Sequence, residues 1–341
     1  MAGVPDGRLV RGGLGPALAM LPTLVLGLVS CRPVVPPAPP PPLLHRPQPA
    51  PPGDLVYLVM VDRFADGDPR LPGPVDPADP HGWHGGDLAG VLAHVDDLHA
   101  LGVGTVWLSP IYATRDDKIG EWGAFHGYWV TGGDAINPRF GTVADLRALS
   151  DALHARGMRL VLDVVWNHTD YDAPVRTAHP DWFHANGDIQ DWDDPVQRVT
   201  GDVHGLPDLA QEQPAVADWL VGMTEDWIDR AGVDGLRVDA VGHMPLPFLR
   251  DANLRLDQRY GDVWTVGEDF SGDPARLART LDEGGFDAVF DFPLHYAMID
   301  HFCGGPRCRA SRAPCRWTGC MAPDLATGWS PFWTTTTCPG S

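Results

Sequence analysis

The sequence has little positive charge. Its 25 Lys and Arg residues stand against 45 Asp and Glu residues, which gives a formal net charge of −20 at pH 7. Binding to nucleic acid needs a basic surface that neutralises phosphates, so this composition argues against a nucleic-acid-binding protein. It suits a domain that works outside the cytoplasm on a neutral ligand.

Cysteine and long apolar runs are also scarce. No cysteine occurs from residue 32 to residue 302. Beyond the N-terminal region, no run reaches the roughly 18 apolar residues of a membrane span. No Gly-x-Gly-x-x-Gly motif follows the first predicted strand, so a dinucleotide-binding domain is not supported.

The N-terminal region predicts export. Arg8 and Arg11 precede an apolar stretch at 14–30, which ends Leu-Val-Ser before Cys31. This pattern resembles a bacterial lipoprotein signal over residues 1–31; the alternative is an ordinary secretory signal with an incidental cysteine. We favour the lipoprotein signal, with the membrane reached only through a lipid anchor at Cys31. The expected location is therefore the bacterial cell envelope or the extracellular space.

A proline-rich segment follows the signal. Residues 31–52 contain 11 prolines, a composition that favours an extended polyproline-type spacer. A disordered linker is a compatible interpretation. Residues 32–53 are therefore predicted to separate the anchor from the folded domain.

From residue 54 onward, strand-like and helix-like segments alternate, which is typical of βα units and a parallel sheet. Strands are predicted at 54–64, 104–110, 158–168, 233–241, 262–270 and 286–294, and helices at 87–102, 142–157 and 214–231. Asp87 and Thr142 are the predicted helix N-caps. The alternation favours a (β/α)₈ barrel of the TIM type or a doubly wound sheet. Residues 169–213 have no clear period and are predicted to be an inserted functional loop.

Polar residues stand at the ends of several predicted strands. They are Asp62, Asp163, Asn167, His168, Arg237, Asp239, His243 and Glu268. In a parallel barrel the carboxyl ends of the strands meet at one mouth, where barrel enzymes carry their active sites. We therefore expect these side chains to face a common mouth.

Three of these residues suggest a chemistry. Arg237 and Asp239 are two residues apart and share one face of their strand, so the cation keeps the carboxylate ionised, as a nucleophile needs. Glu268, by contrast, must stay protonated near neutral pH if it is to protonate a leaving oxygen. Such paired carboxylates suit glycoside hydrolysis. The alternative is a buried Arg–Asp pair that only stabilises the fold, which is a costly source of stability.

Three motifs resemble successive signatures of the α-amylase family, glycoside hydrolase family 13. They are DVVWNH at 163–168, GLRVDAVGH at 235–243 and VGEDF at 266–270. The likeness covers about 54–302. The resemblance implies a catalytic barrel over these residues, with a domain B inserted after the third strand at 169–213.

The resemblance also implies roles for individual residues. Asp239 would be the nucleophile, Glu268 the general acid and base, and Arg237 the partner that orients Asp239. The implied sugar-binding residues are His126, Tyr128, Trp129, His168 and His243. Gly242 stands where many α-amylases carry a lysine that contacts the next sugar, so the leaving side of this site is expected to differ.

A calcium site is implied as well. Its matched ligands are Asn167, Asp208 and the backbone carbonyl of His243, and such oxygen ligands suit a hard cation. The alternative for Asp208 is a simple turn residue. The implied reaction is retaining cleavage of α-1,4-glucosidic bonds in starch or maltodextrins, through a covalent glycosyl–enzyme intermediate. Hydrolysis and transglycosylation use the same residues, so both remain open.

The pattern changes abruptly at residue 303. Residues 303–341 hold five of the six cysteines and four arginines, against one acidic residue, Asp324. They lack the His-Asp pair that the family places after its seventh strand. A disulfide-bonded module, a zinc site and out-of-frame translation are three interpretations. We favour the last, with strands seven and eight missing; the rival function is then a non-catalytic glucan-binding or partner-binding remnant.

Overall fold

The computed structural model describes residues 55–261 and 263–302. Six strands in these ranges form one parallel sheet, in sequential order from β1 to β6. They are β1 Leu55–Val59, β2 Val103–Leu108, β3 Arg159–Val164, β4 Gly235–Val238, β5 Trp264–Gly267 and β6 Ala288–Val289. A doubly wound sheet would reverse its strand order partway. The sequential order is that of a TIM-type barrel, so the prediction of an incomplete α/β barrel is confirmed for the described residues.

Helices follow the strands in βα alternation. They are α1 Val61–Phe64, α2 Leu88–Ala93, α3 Val95–Ala100, α4 Val143–His154, α5 Pro174–Ala178, α6 Gln197–Thr200, α7 Pro214–Ala231, α8 Leu246–Tyr260, α9 Pro274–Gly284 and α10 Phe292–Phe302. Single 3₁₀ turns lie at Pro180–Trp182 and Val241–His243. None of the helices in the described ranges is both long and apolar enough to cross a membrane.

Both predicted N-caps are confirmed. The Asp87 carboxylate accepts a hydrogen bond from the Gly90 amide at 2.7 Å. Thr142 and Asp145 form a reciprocal capping box at the start of α4. These side chains satisfy amide groups that have no partner inside the helix, and so they fix where the helices begin.

Several predicted elements differ from the structure. The strand expected at 54–64 ends at Val59, and Val61–Phe64 form α1 instead. The helix expected at 87–102 is interrupted at His94, whose backbone leaves helical geometry with φ −106° and ψ 10°. The strand expected at 286–294 is only two residues long. A helix competes there, because Asp291 accepts a hydrogen bond from the Leu294 amide at 2.9 Å and Pro293 suits a first helical turn.

The core lies between the sheet and its outer helices. Every residue of β4 is buried, as are Leu160, Leu162 and Val164 of β3. The apolar face of α4, with Leu146, Leu149 and Leu153, packs into the same cluster. Strands buried on both faces are expected to be almost wholly apolar. A charged side chain on β4 therefore needs a specific set of partners.

The predicted signal, the proline-rich spacer and the 303–341 tail lie outside the described residues. Residues 169–213 carry α5, α6 and a 3₁₀ turn, linked by isolated β-bridges such as those joining Phe183 to Leu209 and Asp188 to Asp202. This segment leaves the barrel after β3 and returns to it at α7.

Candidate active site

Arg237 of β4 lies at the centre of the strand ends. Its Nη1 atom is 2.7 Å from Asp163 Oδ1 and 2.7 Å from Asp239 Oδ1, and its Nη2 atom forms an ion pair with Glu268. The side chains of Arg237, Asp163 and Asp239 are fully buried, and Glu268 is 3% exposed. One guanidinium therefore binds carboxyl groups from three consecutive strand ends.

The sheet register explains this convergence. Asp163 on β3 pairs directly with Arg237 on β4. Just beyond the ends of β4 and β5, the Asp239 amide donates to Val164 O at 2.9 Å and the Glu268 amide donates to Val238 O at 3.0 Å. The backbone ladder thus carries Asp239 and Glu268 to the same level as the guanidinium.

Arg237 has more partners than Asp239, the one expected from the sequence. The expected contact is present, but Arg237 divides its donors among three carboxyl groups. Burial by itself would lower the pKa of Arg237; the surrounding carboxylates, Asp163 foremost, raise it above its ordinary value. Asp163 stood at a predicted strand end without an assigned role, and the cross-strand register is what gives it one.

The pKa of Glu268 lies above that of an ordinary glutamate. Burial raises the pKa of Glu268 to about 7, an effect larger than the opposing one of Arg237. Glu268 therefore keeps a proton on a substantial fraction of molecules at neutral pH, as a general acid requires. Asp239 lies beside this carboxyl group: its charge and a side-chain hydrogen bond between the two groups also raise the pKa of Glu268.

Asp163 is held by two aromatic residues as well as by Arg237. The Tyr128 hydroxyl donates to Asp163 Oδ2 at 2.9 Å, and Trp107 Nε1 donates to the same oxygen at 3.2 Å. Burial raises the pKa of Asp163 to about 7. Sequence reasoning missed Trp107, although an indole donor within an otherwise apolar β2 was a signal that could have found it.

Four of the predicted sugar-binding residues lie together beside this cluster. His126 stacks on Tyr128 with ring centroids 5.9 Å apart and meets the Trp129 ring edge-on at 4.8 Å. His168 Nε2 is 3.2 Å from the Tyr128 carbonyl oxygen. Burial lowers the pKa of His126 to about 3 and also lowers that of His168. Both rings are therefore neutral and suited to hydrogen bonding with hydroxyl groups.

His243 lies elsewhere. Its ring is 5.8 Å from that of Trp192, and its Nδ1 atom donates to the Arg198 carbonyl at 3.0 Å. Both partners belong to the 169–213 segment. The structure thus brings together His126, Tyr128, Trp129 and His168, and places the His243 side chain against the inserted segment.

Asp62, predicted at the end of the first strand, is not among the carboxylates that pair with Arg237 in the described residues. Its carboxylate accepts hydrogen bonds from the His84 and Gly85 amides at 3.0 to 3.2 Å and lies 3.0 Å from Arg63 Nε. Backbone amides in the loop before α2 therefore take up the charge of Asp62. Its role is to hold that loop against the end of β1.

The predicted calcium ligands Asn167 and Asp208 are brought together. An antiparallel bridge joins His168 to Asp208, and the Leu209 amide donates to Asn167 O at 2.9 Å. Asn167 Oδ1 and Asp208 Oδ1 are both buried, and neither accepts a hydrogen bond within the described part of the chain. Buried oxygens without hydrogen-bond donors, on two segments paired through their backbones, fit a hard cation.

His184 is an unpredicted neighbour of Asp208. Its Nδ1 atom is 2.6 Å from Asp208 Oδ2, and its Nε2 atom is 3.0 Å from Glu212. The hydrogen bond to Asp208 raises the pKa of His184 to about 9. Across the described ranges, no group of three or more His, Cys, Asp or Glu residues could hold a metal ion. A cation here would rely on amide and carbonyl oxygens beside a single carboxylate.

Replacing Glu268 by Gln should flatten the dependence of stability on pH. The folded-state pKa of Glu268 is raised to about 7, so the folded protein binds more protons than the unfolded one below that value. Its contribution to stability is therefore lost as pH rises towards 7. Denaturant unfolding of both proteins from about pH 5 to 8 measures the difference in slope.

Exposed Glu283 provides the matched control, as Glu283→Gln. The lowered pKa of His126 makes stability rise with pH, opposite to the effect of Glu268. The difference between the Glu268→Gln and Glu283→Gln curves therefore isolates Glu268 better than the wild-type curve alone. A Glu268→Gln curve parallel to the wild-type curve would contradict the raised pKa.

Comparison with known proteins agrees with this geometry. Residues 58–192 and 174–317 match the α-amylase catalytic domain. The chain is 35% identical over 266 residues to a β/α-amylase of Paenibacillus polymyxa, covering 72% of this chain and 21% of that protein. It is 31% identical over 273 residues to a cyclomaltodextrinase of a Bacillus species, covering 73% of this chain and 45% of that protein.

A solved structure shows the same likeness in three dimensions. The α-amylase of Geobacillus thermoleovorans, complexed with acarbose, matches with a TM-score of 0.65 and 36% identity, over 72% of this chain and 53% of that one. The chain therefore spans about half or less of the length of these relatives. Since the family match extends over most of the described residues, this chain belongs to the α-amylase family.

Proposed function

We propose that this chain carries the active site of a retaining glycoside hydrolase that acts on α-1,4-glucans. The observation that supports this most directly is the cluster in which Arg237 binds Asp163, Asp239 and Glu268. Two carboxyl groups that share one guanidinium lie close together. This favours retention, since inverting enzymes keep their carboxyl groups roughly 6.5–9.5 Å apart.

Each catalytic group has a defined task in this proposal. Glu268 gives its proton to the glycosidic oxygen as the bond from that oxygen to the anomeric carbon breaks, and Asp239 Oδ2 bonds to the same carbon. The Glu268 carboxylate then takes a proton from water, whose oxygen displaces Asp239 and releases the sugar. Arg237 holds the Asp239 side chain in place through the 2.7 Å ion pair to its Oδ1 atom, which leaves Oδ2 for the bond to carbon.

The substrate class rests on the site and on the relatives. Tyr128 supplies an aromatic ring, and the rings of His126 and His168 beside it are neutral, which suits a site for an uncharged sugar. The relatives carry the names α-amylase, cyclomaltodextrinase and cyclomaltodextrin glucanotransferase. We propose water as the usual acceptor; a second sugar would resolve the same intermediate by transglycosylation.

We also propose a calcium ion with a structural role. Asn167, Asp208 and the His243 carbonyl would hold it, with the two donor-free oxygens of Asn167 and Asp208 as support. A bound cation would fix the 169–213 segment against the end of β3. We also propose export through the N-terminal signal, with a lipid anchor at Cys31.

The proposal is tested by trapping the intermediate. A fluorinated α-maltosyl fluoride that forms the intermediate but hydrolyses slowly should add one maltosyl group to the peptide containing Asp239. Glu268→Gln should still be labelled, because fluoride leaves without a proton, whereas Asp239→Asn should not. Labelling at another residue, or none in the wild-type chain, would overturn the assignment. Peptide mass spectrometry reads the result.

A further inference from the structure

Asp269, the residue after the proposed acid, has no part in the reaction yet is 1% exposed. Its Oδ2 atom accepts hydrogen bonds from Arg276 Nε at 3.0 Å and from Thr280 Oγ1 at 2.9 Å. Arg276 Nη2 lies 2.5 Å from its Oδ1 atom. Arg276 and Thr280 both belong to α9, so the strand-end carboxylate is fixed to the following helix.

Glu268 itself is fixed on the other side. Its amide donates to Val238 O at 3.0 Å, and its carbonyl accepts from the Val241 amide at 3.0 Å. These bonds attach its backbone to the end of β4 and to the turn that follows. Glu268 therefore lies between a backbone attachment to β4 and a side-chain attachment, through Asp269, to α9.

Gly242 lies against this second attachment. A Cβ atom at Gly242 would be 2.2 Å from Arg276 Nη2 and 2.6 Å from Asp269 Oδ1. The guanidinium thus occupies the space that any side chain at position 242 would need. The Asp269–Arg276 ion pair can therefore keep this position only if residue 242 is glycine.

We propose that Asp269, Arg276 and Thr280 form a clamp that positions Glu268 for proton transfer, and that position 242 is glycine because the clamp fills its space. The clamp rests on the proposed function, since it assigns positioning residues to the proposed acid. Glu268 follows the last residue of β5, where backbone pairing ends. Proton transfer needs reacting groups held within a fraction of an ångström, which a strand end alone does not ensure.

A clamp that serves proton transfer differs measurably from one that only stabilises the fold. Cleavage of maltoheptaose needs a proton on the leaving oxygen, but α-maltosyl fluoride releases fluoride without one. Both substrates need Asp239. The ratio kcat/KM reports the step that forms the intermediate, before Glu268 acts as a base. A misplaced acid therefore lowers kcat/KM for the first substrate and spares it for the second, whereas a general loss of structure lowers it for both.

The experiment compares Arg276→Ala and Gly242→Ala with wild type on both substrates. We expect kcat/KM on maltoheptaose to fall roughly 10- to 100-fold, part of the 10²–10⁴ that a general acid contributes, and kcat/KM on α-maltosyl fluoride to stay within about twofold. Arg279→Ala is the matched control: it lies on the same helix, and its partner is exposed Glu283 at 3.0 Å. It should leave both rates unchanged.

Gly242→Ala is the sharper variant because it removes no clamp atom. The obstructing atom is the end of a flexible side chain, so we expect the guanidinium to move while the backbone holds. In the double variant the second change should add little, since both act on one contact. Equal losses on both substrates, additive losses, or unchanged maltoheptaose cleavage would overturn the clamp.

Failure of the proposed function gives a different result. If wild-type protein turns over neither substrate, the assignment of the reaction is wrong for this chain. Crystal structures of wild type and Arg276→Ala then decide the clamp: a displaced Glu268 carboxyl group supports it, and an unmoved one overturns it.

Discussion

Asparagine in place of Asp239 is expected to lower kcat on maltoheptaose by a factor on the order of 10⁴ or more, the scale seen when a covalent nucleophile is removed. The amide keeps the shape of the side chain but cannot form the glycosyl ester. Steady-state assays at saturating substrate measure the effect.

Exposed Asp251 on α8 supplies the matched control, and Asp251→Asn should keep wild-type rates. A second variant, Asp239→Gly, tests the role directly by adding azide and α-maltosyl fluoride. Azide should attack from the face that Asp239 vacates and expel fluoride, giving β-maltosyl azide. Formation of the α-azide, or an Asp239→Asn variant within about tenfold of wild type, would contradict a nucleophilic role.

Methionine in place of Arg237 should give the largest loss of stability, about 3–5 kcal/mol in the free energy of unfolding at neutral pH. The change leaves Asp163, Asp239 and Glu268 buried without their cation. Removing one member of a buried charge cluster is costly because the remaining charges lie in a medium that solvates them poorly. Urea unfolding followed by circular dichroism measures the loss.

The loss should shrink as pH falls. Without the cation the carboxyl groups bind protons more tightly when folded than when unfolded, so lowering the pH favours the folded variant. Arg230→Met is the control, because Arg230 pairs with Asp226 at 2.6 Å on the exposed face of α7 and should lose less than about 1 kcal/mol. If Arg237→Met lost less than about 1 kcal/mol of unfolding free energy, or a loss that did not change with pH, the remaining carboxylates would be solvated and the prediction wrong.

The features that can be predicted from the sequence are those set by residues close together in the chain. The caps at Asp87 and Thr142 depend on residues within one helical turn, and the strand order follows from regular βα alternation. The proximity of Arg237, Asp239 and Glu268 is predictable for a related reason, since the carboxyl ends of parallel strands converge.

The remaining features depend on contacts between distant segments. The binding of Asp163 by Arg237, Tyr128 and Trp107 requires the register of β2, β3 and β4, which no local pattern specifies. The hydrogen bond from His184 to Asp208 spans an irregular segment. Sequence shows that Asp62 stands near the end of a strand, but not which backbone amides its carboxylate meets.

The binding of Arg237 to residues from three strands also affects the register in which these strands pair. Asp163, Asp239 and Glu268 come from β3, β4 and β5 or their ends, so the cation is neutralised only when three consecutive strands align. Strands that slip by one residue turn each side chain to the opposite face. A misaligned sheet would bury an unpaired arginine beside scattered carboxylates. The charges that suit the site to catalysis thus also destabilise sheets in which β3, β4 and β5 pair in the wrong register.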